Sequence, residues 1–190
     1  MTFDPSTGAR RPGVPRAGAL CALLAAFVLI VTATPSMAAE EDTVEAFSSW
    51  EASGHIYPTG VEESTFVGVL SGILYVRNSD DVIEAGLIMC PATVTVNTTD
   101  GSQHGSAKCV IVTPESNRVF GSFECDGVYQ AGCAGEFTIT GGTGSMQGIT
   151  GGGPIKLQSA FANAALVPGT VIDQTAAGLA LWPALSYKIP

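Results

Sequence analysis

GEFTITGGTGSMQGITGGGPIKL, residues Gly135–Leu157, is the stretch whose reading decides the fold. Three arrangements compete for it. A phosphate-binding loop would use Gly142, Gly144 and Gly148, but such a loop must open a helix whose N-terminal amides hold the anion. Gly151, Gly152, Gly153 and Pro154 forbid that helix. A flexible linker would lack Phe137, Ile139, Met146, Ile149, Ile155 and Leu157, which recur too regularly for filler. The third arrangement fits: two β-strands joined by a tight turn, with Gly141, Gly142, Gly144 and Gly148 supplying positive φ and close backbone approach.

The same pattern extends outward in both directions. Upstream lie AFSSWEASGHIY (46–57), STFVGVLSGILYVRN (64–78), VIEAGLIMC (82–90), TVTVN (93–97), SAKCVIVT (106–113) and RVFGSFEC (118–125). These runs are short and rich in Val, Ile, Thr and Phe. Turn residues separate them at Asn78–Asp81, Asp100-Gly101 and Pro114–Asn117, which predicts an antiparallel meander. Gly68 and Gly72 interrupt an apolar run and predict kinks or bulges where a sheet bends to close. Downstream, SAFANAAL (159–166) suits one short helix before Pro168-Gly169. GLALWPALSYKI (178–189) reads as a last strand that can pair with the first and remove both sheet edges. The predicted fold is all-β: a single antiparallel, eight-stranded barrel.

The chain has 190 residues, and its beginning reads as an export signal. Arg10, Arg11 and Arg16 precede the apolar run Ala17–Val31, which is short for a bilayer span, and Ser36-Met37-Ala38 is a small-x-small cleavage site. Residues 1–38 are therefore expected to be removed and 39–190 to form the domain. Removal takes three arginines and one aspartate from the total of 8 basic and 17 acidic residues, so the mature part is strongly acidic. That excludes nucleic acid as a partner and argues against anionic lipid, and no stable membrane insertion is expected once the signal is gone. The expected location is periplasmic or secreted, in a bacterium.

Cys21 leaves with the signal; Cys90, Cys109, Cys125 and Cys133 remain, an even set in an oxidising compartment. Of three connectivities, Cys90 with Cys109 and Cys125 with Cys133 are chosen, because each pair flanks a turn between β-type runs. A two-residue turn at Asp100-Gly101 would set Cys90 opposite Ile111, so a longer loop or a bulge is required. The cysteine spacing holds no Cys-x-x-Cys and no clustered His, so no metal site is expected.

ITGGTGSMQGITGGGPIKL (139–157) resembles the plant allene oxide cyclases, in which a Gly-Gly-small-Gly turn joins a strand to a Gly-containing strand ending in Lys-Leu. GGTG is shared with dirigent proteins. Cys90-Pro91, Cys109, Cys125 with Cys133, GEFTITGGTG and the terminal WPALSYKIP together resemble a group of small exported bacterial proteins with no assigned activity. The plant likeness covers only the glycine-rich segment; the bacterial likeness covers most of the domain. Both plant families are eight-stranded antiparallel barrels. The first implies cofactor-free cyclisation of a fatty-acid epoxide, the second the steering of radical coupling. Neither family's polar pocket residues map onto positions of this chain, so the implication is one of fold.

Chemistry-bearing residues are sparse. His55 and His104 have no partner at metal or triad spacing, and no Gly-x-Ser-x-Gly elbow exists. Glu62 and Glu63 are adjacent and point to opposite faces. Asn97-Thr98-Thr99 is a glycosylation sequon of little meaning in a bacterial periplasm. Arg77 and Arg118 are candidates to hold an anionic head group, set against surface ion pairs. Trp50, Tyr57, Tyr75, Tyr129 and Trp182 would line an apolar cavity or, by preference, fill the barrel. Trp50, Tyr75, Arg77 and Arg118 are the expected ligand contacts, for a small apolar or amphipathic molecule and without a cofactor. A filled structural barrel and a cofactor-free cyclase are the alternatives.

Overall fold

The structure, a computed structural model, describes residues 40–77, 81–162 and 170–190. Residues 1–38, where an export signal is expected, and most of the Asn78–Asp81 turn lie outside the described residues. Eight strands follow in order: β1 (Glu40–Pro58), β2 (Glu63–Arg77), β3 (Val82–Asn97), β4 (Ser102–Val112), β5 (Arg118–Val128), β6 (Gly132–Gly142), β7 (Thr150–Ala162) and β8 (Ile172–Ile189). Each pairs antiparallel with its neighbour in sequence, and β8 returns to β1 to close a barrel. The all-β, eight-stranded expectation is met, as is the closing role of GLALWPALSYKI.

Alternation explains the wall. Even-numbered positions of β1 (Ala46, Ser48, Trp50, Ala52, Ile56) and odd-numbered positions of β4 and β5 (Ala107, Cys109, Ile111, Val119, Phe123, Cys125) are buried inside, while their neighbours face out. Most of β8 keeps the period through Gln174, Ala180 and Trp182. It then shifts to bury Leu185, where the β1–β8 register slips between Val44 and Ala46.

Both disulfides form as expected, Cys90–Cys109 and Cys125–Cys133, and both staple adjacent strands from within the barrel. The β3–β4 loop runs from residue 98 to 101 rather than two residues, which sets Val96 opposite Gln103. The same register brings Cys90 and Cys109 to a Cα separation of 4.1 Å.

Four readings of the sequence need correction. VIEAGLIMC and TVTVN are one strand, β3, carried through Pro91, which stands opposite Val69 of β2. Proline has no N–H to donate, and the β3–β4 ladder breaks beside it, between the Met89–Val110 and Ala92–Ala107 pairs. The Cys90–Cys109 bond spans that break. Second, Ser159–Ala162 is the end of β7 and not the start of a helix; residues 163–166 lie outside the described residues. Third, Gly68 and Gly72 sit in regular pairing and not in bulges. They face inward where a Cβ has no room: one on Gly68 would strike the Phe66 ring, and one on Gly72 would strike the Ser49 carbonyl and Ser48 Oγ. The slip in β2–β3 pairing falls instead between Leu74 and Tyr75, opposite Gly86.

Fourth, the β6–β7 connection is not a tight turn. It spans residues 143–149, contains one 3₁₀ turn (Gly144–Met146) and buries Ile149. Gly141, Gly144 and Gly148 have positive φ, as expected; Gly142 does not, and is small because a Cβ there would meet the Met146 and Arg118 carbonyls. Gly144 has φ +63°, and a Cβ on it would strike Asn117 Oδ1. That amide holds the turn, its Nδ2 donating to Ser145 Oγ at 2.8 Å and its Oδ1 accepting from Ser145 N at 3.3 Å. Gly144→Ala is expected to lower stability by about 1–2 kcal/mol through left-handed strain and this clash. A thermal melt reads it as a fall of roughly 2–4 °C per kcal/mol in a domain of this size, and an unchanged midpoint would refute the account.

Candidate functional site

The barrel interior divides into a filled half and a half with space. The filled half lies toward the end that carries the 143–149 connection. There Phe137 meets Trp182 edge-on, with ring centroids 5.7 Å apart and planes at 82°. Ile139, Ile111, Val119 and Leu185 complete it.

The other half opens at the end that gathers the β1–β2, β3–β4 and β5–β6 hairpins. A cavity of about 100 Å³ lies below that mouth. Its apolar wall includes Trp50, Ile56, Phe66, Leu70, Val94, Phe123 and Leu157, and the Cys125–Cys133 pair forms part of it. Below it, between Trp50 and Trp182, the remaining space shrinks to about 20 Å³. An eight-stranded barrel is just wide enough either to fill with side chains or to hold one small ligand. This barrel does the first at one end and leaves room for the second at the other.

The indole of Trp50 lies against Gly178, its partner on β8; its partner on β2, Gly72, is also a glycine. A Cβ on Gly178 would run into the indole itself. Trp50 is 8% exposed, yet its Nε1–H has no hydrogen-bond partner. Gln174, 9% exposed, likewise leaves its Oε1 without one. A buried polar group without a partner costs free energy comparable to a lost hydrogen bond. Trp182 Nε1, in the filled half, and Thr113 Oγ1 are also without one, but only Trp50 and Gln174 share the wall of the open cavity.

The polar side chains of the cavity wall near the mouth, Gln103, Tyr129, Gln130 and Gln174, are uncharged. Gln103 donates through Nε2 to the Gly132 carbonyl at 3.1 Å, tying β4 to the β5–β6 turn. Tyr129 is half-buried. Burial pushes its phenol above the ordinary value, against the side-chain amides of Gln130 and Gln174, which pull it back. Among the described residues, the cavity wall carries no carboxylate, imidazole, amine or guanidinium.

Of the four expected ligand contacts, only Trp50 lies on this cavity. Tyr75 faces outward, stacked on Phe47 at 5.3 Å across the β1–β2 pair. Arg77 is exposed at the end of β2, its Nη1 3.4 Å from Glu45 Oε2. Arg118 is exposed at the start of β5, where its backbone and Thr143 exchange hydrogen bonds. Both arginines stand at the end opposite the mouth. Of the other aromatics, Trp182 and Tyr129 face the interior spaces, and Tyr57 is exposed.

Both histidines have partners that the linear spacing concealed. His55 Nε2 lies 2.9 Å from Asp173 Oδ1 across β1–β8, and His104 Nδ1 lies 2.8 Å from Asp126 Oδ1 across β4–β5. Each is a directly opposed pair on the outer wall, the ordinary stabilising unit of an antiparallel sheet. Gln174 was missed in the sequence. Counting back in twos from an inward Trp182 through Ala180, Gly178 and Ala176 reaches it, and that was the available signal. Among the described residues no group of three or more His, Cys, Asp or Glu is placed to hold a metal ion. No family model, curated protein or solved structure matches the chain.

Proposed function

We propose that this is an exported barrel of the allene oxide cyclase and dirigent-like type that binds one small, mainly apolar molecule in the cavity at its mouth. The observation that carries the reading is the apolar cavity with two buried, unpartnered polar atoms, Trp50 Nε1 and Gln174 Oε1. Export is supported by the two disulfides, which persist in oxidising compartments, together with the signal pattern of residues 1–38. A water-facing outer wall is supported by exposed Glu51, Lys108, Glu124, Glu136 and Lys156 at mid-strand positions, where a lipid-facing barrel would carry apolar residues. Catalysis ranks below binding, because the described residues of the cavity wall include no acid–base pair to move a proton. The filled half around Phe137 and Trp182 favours one other reading, a purely structural barrel.

Mass spectrometry separates the two. Under denaturing conditions the chain is expected to begin at Ala39 and to be lighter by the hydrogens lost to two disulfides. An uncleaved or fully reduced chain would overturn the export argument. Under native conditions a stoichiometric adduct, released on denaturation, is expected; a clean apo mass would favour the structural barrel. Ala52 lies on the cavity wall, and Ala52→Leu adds bulk there. It is expected to abolish the adduct while leaving the melting temperature equal or higher, since filling a cavity restores dispersion contacts.

A further inference from the structure

We infer that the cavity selects an uncharged molecule with an apolar body of about the bulk of a benzene ring, bearing hydrogen-bonding oxygen, such as a small phenol or alcohol, and that it rejects the corresponding carboxylate. This rests on the binding reading above and specifies its ligand class.

Size comes first. An apolar cavity of ~150 Å³ lined by aliphatic and aromatic side chains accommodates benzene. The present one, at about 100 Å³, takes a body no larger than that.

Polarity comes next. Trp50 Nε1 can only donate, and Gln174 Oε1 can only accept. A ligand that satisfies both must offer an acceptor to the indole and a donor to the amide, which a hydroxyl-bearing molecule supplies and a hydrocarbon does not.

Charge comes last. A carboxylate entering this space would shed its hydration and find no cation among the described residues of the wall: Lys108 and Lys156 are exposed on the outer face, and Arg77 and Arg118 stand at the opposite end of the barrel. Tyr129, the ionisable side chain on the rim, is held toward its neutral form by burial. Desolvating an unpaired anion costs far more than one neutral hydrogen bond returns.

The test is a titration of the ¹⁵N-labelled protein with phenol, benzene and benzoate at pH 7, following the indole N–H signals of its two tryptophans, Trp50 and Trp182. Phenol is expected to shift the Trp50 signal saturably, and benzoate to bind at least about 100-fold more weakly. Trp50→Phe, and separately Gln174→Leu, which keeps nearly the same volume, are each expected to weaken phenol about three- to tenfold while leaving benzene unchanged. In the Trp50 variant the backbone amides of the wall carry the readout. If one variant fails to fold, the other still decides. Benzoate matching phenol, or phenol and benzene losing equally in the variants, would overturn the ligand class while leaving a binding cavity. Failure of all three probes to bind would overturn the binding reading itself.

Discussion

Phe137→Ala is expected to cost about 3–5 kcal/mol of folding stability. The ring is 2% exposed and stands edge-on to Trp182, so truncation removes both the transfer free energy of the ring and an aromatic pair. The site is poorly able to collapse. Gly121, on the adjacent strand, is small because the ring occupies the space where its Cβ would go, and a glycine cannot swing a side chain into the void. A domain of this size holds roughly 5–15 kcal/mol in total, so the variant would sit near its unfolding midpoint under mild conditions. Urea unfolding reads the effect as a fall in midpoint at constant slope. A loss below about 1 kcal/mol would mean that the filled half is not the core of the molecule.

Removing the disulfides is expected to have the next largest effect, and to separate stability from binding. Replacing Cys90 and Cys109 by alanine opens a loop with a sequence separation of 19 and should cost about 3 kcal/mol in the chain-entropy account. The same change at Cys125 and Cys133, with a separation of 8, should cost about 2.5 kcal/mol. The first bond also spans the break in β3–β4 pairing at Pro91, so its loss leaves two neighbouring strands without a link at that level. Only the second pair lines the larger cavity. Phenol affinity should therefore fall in the Cys125/Cys133 variant and hold in the Cys90/Cys109 variant wherever both are folded. Equal affinities in the two variants would contradict the position of the Cys125–Cys133 pair on the binding wall.

The site was less legible than the fold because fold signals are local and site signals are not. Tyr75 and Trp50 read alike in one dimension, as aromatic residues within β-type runs. They part company only when the β1–β2 register places Tyr75 outside against Phe47 and Trp50 inside between two glycines. Arg77 and Arg118 drew attention because basic residues are scarce in an acidic chain. Scarcity carries no direction, however, and both stand at the end away from the cavity. The His–Asp pairs were invisible for the same reason: His55 meets Asp173 across more than a hundred residues of sequence through the strand that closes the barrel.

The sequence by itself determined the strand content, the closure of first strand on last and both cysteine pairings, because each depends on periods, turn residues and neighbouring runs that act over a few positions. Tertiary structure alone decided that one half of the barrel is filled and the other is not. That outcome depends on which inward side chains from non-adjacent strands share a layer: Phe137 and Trp182 in the closed half, Trp50 over Gly178 with Gln174 above it in the open half. Interior volume is set by the sum of side chains across all eight strands, and no local pattern along one strand encodes that sum.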